Sequence, residues 1–314
     1  MDSSDLFHEG ELAAQERAGL RARAEQSGRT NMRSFMSPEL GAFFEELPFV
    51  VVGALDGDTR PWASLLTGPP GFMQSKSASR LAIGTQAGEG DALQPLLVTG
   101  APVGLLGIEP YTRRRVRLNG TVARADDQCL EVRVAQCFGN CPRHIQTRWV
   151  EWSAARQPRE TRLLERLDSD ALQLIANTDT FFVASAHPGA ADMQAPRAHG
   201  VDVSHRGGAP GFVECIDDMT LVVPDFTGNA YLNTIGNFMC HPYAGLLFID
   251  FERNSLLQLS ARAEIVWDAE ALRDYPDARR LIRFEVLGGR WILNAVPLAW
   301  STPDATAPAY RVSP

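Results

Sequence analysis

Residues 181–189 read FFVASAHPG, residues 201–213 read VDVSHRGGAPGFV, and residues 221–251 read LVVPDFTGNAYLNTIGNFMCHPYAGLLFIDF. Short apolar runs alternate with turns rich in Gly, Pro and Asn, a spacing that predicts the strands of a barrel or sandwich. The same landmarks occur earlier in the chain. Gly68–Phe72 reads GPPGF against GAPGF at Gly208–Phe212, 140 residues on. Gly104–Ile108 reads GLLGI against GLLFI at Gly245–Ile249, 141 residues on. Each copy opens with an apolar run, Phe49–Val52 or Phe181–Ala184. Each places a proline, Pro102 or Pro242, before the GLL segment and a strand-like run, Val116–Ala123 or Leu256–Ile265, after it. Four landmarks in one order at nearly constant spacing predict a duplicated unit.

The expected fold is mainly β with flanking helices: two tandem split β-barrels forming an intramolecular pseudo-dimer. Residues 1–150 would hold N-terminal helices and a degenerate barrel, 151–178 a linker helix, and 179–300 the better-kept barrel. Helical patterns fall at Glu9–Arg23 and at Ser37–Glu46, where Ser-Pro sets an N-cap and first-position proline. Others fall at Arg143–Ala155, Glu160–Ile175 and Asp268–Arg283. The tail Ser301–Pro314, rich in Pro, Ala and Thr, reads as loosely ordered.

Of 314 residues 45 % are hydrophobic and 22 % charged, with a formal net charge of −8. That is ordinary globular composition, and its acidity argues against a nucleic-acid partner. Lys76 is the one lysine, so a Walker A loop is excluded and a Schiff-base chemistry would have to use Lys76. No apolar run approaches the roughly 18 residues of a membrane helix, and the start MDSSDLFHEG lacks the features of a secretory signal. Five cysteines, Cys129, Cys137, Cys141, Cys215 and Cys240, read as free thiols of a cytoplasmic protein. Cys137 and Cys141 are spaced C-x-x-x-C, but no second Cys or His pair stands at zinc-ligand spacing, so no metal is expected. G-x-G-x-x-G after a strand, H-E-x-x-H and G-x-S-x-G are all missing from the sequence.

Val201–Gly208 carries Ser204, His205 and Arg206. On a strand Ser204 and Arg206 share one face, an arrangement of hydroxyl and guanidinium suited to an anion. Asp225–Asn237 adds Asn229, Asn233, Thr234 and Asn237. A helix beginning near Leu232 would put Asn233 and Thr234 at its positive end.

The three quoted stretches resemble the pyridoxamine 5′-phosphate oxidase-like FMN-binding split-barrel family, strongly over about 181–265 and more weakly over 49–123. The resemblance implies six strands per barrel and FMN held between two barrels. It implies cofactor contacts from Val203, Ser204, His205, Arg206, Asp225, Asn229, Asn233, Thr234 and Asn237. It also implies a substrate side at CFGNCPRHIQ (Cys137–Gln146), through Asn140, Arg143 and His144. Cys141 stands near a position those oxidases fill with arginine, and Trp291 falls either in the ring pocket or in the core. In the first copy Ser64 matches Ser204, but Leu65, Leu66, Ala92 and Leu93 stand for His205, Arg206, Asn233 and Thr234. One FMN per chain is therefore expected. The implied function is a flavin oxidoreductase acting on a small molecule, with NAD(P)H as a diffusible reductant and further oligomerisation open. The alternatives are a non-catalytic FMN-binding or electron hand-off module, and a split barrel that binds haem or a deazaflavin.

Overall fold

The computed structural model describes residues 6–154 and 158–302. Most of the tail whose order was questioned, 303–314, lies outside them. Three helices come first: α1 (Glu9–Arg17), α2 (Arg21–Asn31) and α3 (Pro38–Glu46). The single helix expected over Glu9–Arg23 is two helices, separated at Gly19, whose φ of +68° only glycine adopts without strain. Ser37 caps α3, its hydroxyl accepting from the Leu40 amide at 3.4 Å, with Pro38 in the first turn.

The first barrel is built from β1 (Phe49–Leu55), β2 (Pro61–Thr67), β3 (Met73–Ser77), β4 (Arg80–Ile83), β5 (Pro102–Glu109), β6 (Arg114–Ala125) and β7 (Leu130–Gly139). Their order across the sheet is β2-β1-β5-β6-β7-β4-β3. After β8 (Val150–Trp152), β9 (Glu160–Leu164) and α4 (Ser169–Asn177) comes the second barrel. It comprises β10 (Thr180–Ala186), β11 (Val201–Gly207), β12 (Glu214–Cys215), β13 (Thr220–Phe226), α5 (Asn233–Cys240), β14 (Tyr243–Asp250), β15 (Ser255–Val266) and β16 (Ala278–Leu293), with β17 (Leu298–Trp300) after it. Its order is β11-β10-β14-β15-β16-β13-β12, the first order with every strand replaced by its counterpart. Registers agree as well: Gly53 lies opposite Gly104 and Ala63, and Ala184 lies opposite Gly245 and Val203.

Strand alternation divides the apolar residues between three cores. Val50, Val52 and Ala54 fill the first barrel, while Phe181 and Val183 fill the second. Their neighbours Phe49, Val51, Phe182 and Ala184 meet in a core between the barrels. The opening strands are therefore buried on both faces, which is why they read as continuous apolar runs. The glycines of the two GLL segments sit at this junction. A Cβ on Gly104 would lie 2.4 Å from the Val201 carbonyl oxygen, and one on Gly245 would lie 2.6 Å from that of Pro61.

Three expected helices differ. Arg143–Ala155 is not helical as far as it is described: it turns at Arg143–His144, where His144 has a φ of +65°, and then runs irregularly. It forms only the short β8, paired with β17, within Trp149–Trp152, a stretch rich in β-formers. Glu160–Ile175 divides into β9, added to the edge of β16, and α4, which starts after its cap Asp168. The stretch 151–178 is therefore not one linker helix. Asp268–Arg283 forms turns and then enters β16, where buried Ile282, Phe284 and Val286 alternate with exposed Arg283, Glu285 and Leu287 at the period of a strand.

Candidate anion-binding site

β6 of the first barrel runs against β11 of the second. Arg115 and Arg117, two apart on β6, project to one side. With Arg206, Ser204 and the first turn of α5 they enclose a cavity of about 80 Å³. Leu232 opens α5 in the left-handed conformation, φ +57°, with no side-chain cap, so the first-turn amides face the cavity end without one.

Arg117 is the buried anchor. Its Nε donates to the Val203 carbonyl at 3.0 Å, Nη1 to Asp202 at 3.0 Å and Asn233 at 2.8 Å, and Nη2 to Ser204 at 2.5 Å. Thr234 donates to Ser204 at 2.8 Å. Asn233 in turn donates to Glu11 of α1. Burial, and then the neighbouring Asp202, hold the Glu11 carboxyl well above its ordinary range. Asn237 points away from the cavity, donating to Ser185 at 3.0 Å and Asp202 at 2.8 Å.

Arg115 is different. Its hydrogen-bond partner is the His205 ring, with Nη1 3.2 Å from Nδ1, and among the described residues no carboxylate pairs with it. Burial first, with Arg117 and Arg206 adding repulsion, lowers its pKa to about 10. Since Arg115 can only donate, His205 Nδ1 accepts and the neutral ring carries its proton on Nε2. That Nε2 is buried without a partner, as are Arg115 Nε, Arg206 Nε and Asn140 Nδ2. Burial, with Arg115 and Arg206 beside it, pushes the His205 pKa well down, so the ring is a neutral donor. Arg206 donates through Nη1 to Asp225, and Arg280 Nε lies 3.2 Å from the other Asp225 oxygen. Two arginines thus share one acid.

The structure brings Ser204, His205, Arg206, Asp225, Asn229, Asn233, Thr234 and Asn140 around this one cavity. Asn229 donates to Asn140 at 2.7 Å across its mouth. Val203 contributes its carbonyl, its side chain being in the core between barrels. His144 stacks on Phe226 beside the cavity, ring centroids 5.3 Å apart, whereas Arg143 is exposed and outside the lining. Trp291 belongs to the second barrel's core. The sequence reading missed Arg115, Arg117 and Glu11. The run Thr112–Arg117, TRRRVR, was the available signal, because alternate arginines on a strand share a face.

The pseudo-symmetric place in the first barrel has different chemistry. There Gln258 of β15 donates to the Ala63 carbonyl at 2.9 Å and to Asp91 at 3.0 Å, and Ser64 donates to Asp91. A buried carboxyl whose pKa is raised by burial stands where the other cleft gathers arginines. Beyond it lies an open groove of about 800 Å³, lined in part by Leu65, Thr67 and Gln86.

No family model and no curated protein matches the chain. Solved structures similar to parts of it include HupZ of group A Streptococcus, at 15 % identity over 38 % of this chain and 89 % of that one, TM-score 0.30. An FAD-binding protein from Mesorhizobium loti matches at 11 % identity over 42 % of this chain and 97 % of that one, TM-score 0.29. HutZ, the heme storage protein from Vibrio cholerae, matches at 13 % identity over 42 % and 97 %, TM-score 0.27. The fold assignment stands on the duplicated strand order itself: two tandem split barrels packed as an internal pseudo-dimer. Among the described residues no helix is long and apolar enough to cross a membrane.

Proposed function

We propose that the chain is a flavoprotein that binds one phosphate-bearing cofactor, FMN, between its two barrels, and that it uses it as an oxidoreductase on a small substrate. The observation that carries this reading is Arg115. A half-buried guanidinium with an orphaned Nε and no carboxylate partner is costly, and it sits beside two further arginines, a neutral orphan donor and an uncapped helix N-terminus. Those are the donors that a phosphate dianion needs. Supporting the choice of FMN is the resemblance of residues 181–265 to FMN-binding split barrels, a fold also represented by the FAD-binding and heme storage proteins above.

The fit is specific to the phosphate end. A cavity of about 80 Å³ has room for a phosphate or roughly three waters. Cofactor pockets run to roughly 300–1,000 Å³. The isoalloxazine ring therefore requires the mouth to open, and Asn140 and Asn229 are the side chains joined there. FMN supplies hydride or single-electron chemistry when bound, and the chain's own residues hold, orient and shield it. An absorption spectrum of the purified protein, followed by FMN titration of the parent and of Arg115→Gln, tests the reading. A flavin spectrum and weaker binding by the variant are expected. A haem spectrum, or equal FMN affinity in the two proteins, would overturn it.

A further inference from the structure

Four of the six histidines, His8, His187, His199 and His241, gather at the opposite end of α5 from the anion site. They arrive from four segments: the start of α1, both ends of the loop between β10 and β11, and the end of α5. That loop is much longer than its first-barrel counterpart between β1 and β2, and its two ends supply His187 and His199. The His187 and His199 rings are stacked at 3.7 Å, and the His8 ring lies 4.8 Å from His187. Glu9 faces them, its Oε1 2.9 Å from His187 Nε2 and its Oε2 3.9 Å from His199 Nε2. Cys240 Sγ is 3.9 Å from Glu9 Oε1.

We propose that Glu9, His187 and His199 form a binding site for a divalent first-row transition ion of the zinc class, leaving its fourth position to water. Ligand atoms of all three lie within 4.8 Å of one another. Metal–nitrogen and metal–oxygen bonds of roughly 2.0–2.2 Å in a tetrahedron put ligand atoms about 3.3–3.6 Å apart. The observed 2.9 and 3.9 Å bracket that spacing, so small side-chain rotations suffice. Two imidazoles and one carboxylate select zinc-like ions over calcium or magnesium, which take all-oxygen sets. The site is reachable, since the Glu9 side chain is 67 % exposed. One contact opposes ligation. His187 Nδ1 accepts the Gly189 amide at 3.0 Å, so its proton is on Nε2 and points at Glu9. Metal at Nε2 moves that proton to Nδ1 and requires the Gly189 contact to open. No bond to substrate is made or broken, and the ion would tie α1 to the β10–β11 loop.

Cobalt(II) titration of the metal-stripped full chain, read by its visible d–d absorption and by competition with zinc, tests the site. One equivalent is expected, displaced by zinc. His187→Ala, His199→Ala and Glu9→Gln should each weaken binding by about tenfold or more, as loss of one ligand does. His144→Ala, at a distant exposed histidine, should bind as the parent does. Near-unchanged secondary structure by circular dichroism identifies folded variants, and Glu9→Gln, at an exposed position, guards against misfolding of the histidine changes. Failure of the parent to bind cobalt at micromolar concentration would overturn the proposal. Equal binding by the parent, the Glu9 variant and the His187 and His199 variants would do so too. Neither outcome bears on the FMN site, which shares none of these residues.

Discussion

Arg115 and His205 are a pair in which each side chain leaves the other incomplete. The arginine gives one N–H to Nδ1, and both retain buried donors with nothing to meet. A charge-assisted bond to a desolvated arginine contributes about 1.5–3 kcal/mol, so Arg115→Gln should weaken FMN or phosphate binding by about tenfold or more. Arg143→Gln, at an exposed position outside the cavity, should leave affinity unchanged; isothermal titration of the two variants checks the order. His8 is the corresponding case for acid sensitivity. Burial first, then repulsion from His187, lowers its pKa from 6.5 to about 4, and its Nε2 lies 2.9 Å from the Asn237 side-chain oxygen. The unfolded chain therefore takes up the proton first. The stabilisation from a neutral His8 is complete above about pH 6.5 and is lost as pH falls toward about 4, with an upper limit of about 3 kcal/mol. Glu11, whose pKa is raised, contributes with the opposite sign. Urea denaturation of the parent and of His8→Gln between pH 4 and 7 isolates the histidine term: the parent's stability should fall more steeply with acid than the variant's. Parallel curves would remove His8 from the account.

At the scale of elements, the close approach of α1 to α5 rests on two glycines. A Cβ on Gly10 would lie 2.2 Å from the Gly236 carbonyl oxygen, and one on Gly236 would lie 2.5 Å from the Glu11 Cα. These are backbone contacts that cannot rotate away, so Gly10→Ala must push the helices apart and loosen the Asn233–Glu11 bond. A loss of about 1–3 kcal/mol is expected. Gly57→Ala, where nothing lies within 4 Å, should change stability by no more than about 0.5 kcal/mol. Equal urea midpoints for Gly10→Ala and the parent would show that the crossing is not tight. Nothing in FHEGE announced this contact, because helix-to-helix approach leaves no local pattern. The strands were more legible. FVVVGAL and TFFVASA declare themselves by β-branched and aromatic runs, and the repeat fixed their pairing by analogy between copies. Arg143–Ala155 and Asp268–Arg283 were misread as helices because charged residues spaced among apolar ones, in turns that lead into short stretches of strand, imitate an amphipathic helix over one or two turns. The candidate site was half legible. Ser204, His205, Arg206, Asn233 and Thr234 lie close in sequence, whereas Arg115 and Arg117 come from the other barrel and join them only when the two copies pack.

The whole molecule is a symmetric assembly whose two equivalent clefts have been given different charges. Arg117 reaches across to the Val203 carbonyl, and Gln258, its counterpart, reaches across to the Ala63 carbonyl. Ser204 matches Ser64, and both are buried at the same step of the same strand. Around this shared frame one cleft collects Arg115, Arg117 and Arg206. The other has Leu256, Gln258 and Leu66 at those three places, with the buried Asp91 beside Gln258. A phosphate entering the second cleft would lose its hydration against leucine and meet a carboxyl in place of a guanidinium. The 800 Å³ groove outside Asp91 is lined by Arg159 and Arg253 but equally by Glu89 and Glu252, so it gathers no net positive charge for a dianion. A conventional symmetric pair of barrels would take up two cofactors; this chain should take up one. Equilibrium dialysis with FMN at concentrations well above the dissociation constant, on protein quantified by amino-acid analysis, is expected to saturate near one equivalent per chain. Arg115→Gln should weaken that single binding event, while Asp91→Asn should leave its stoichiometry at one. Saturation near two, with one class of sites indifferent to Arg115, would mean that the cleft around Asp91 also holds the ligand and that its charge does not decide occupancy.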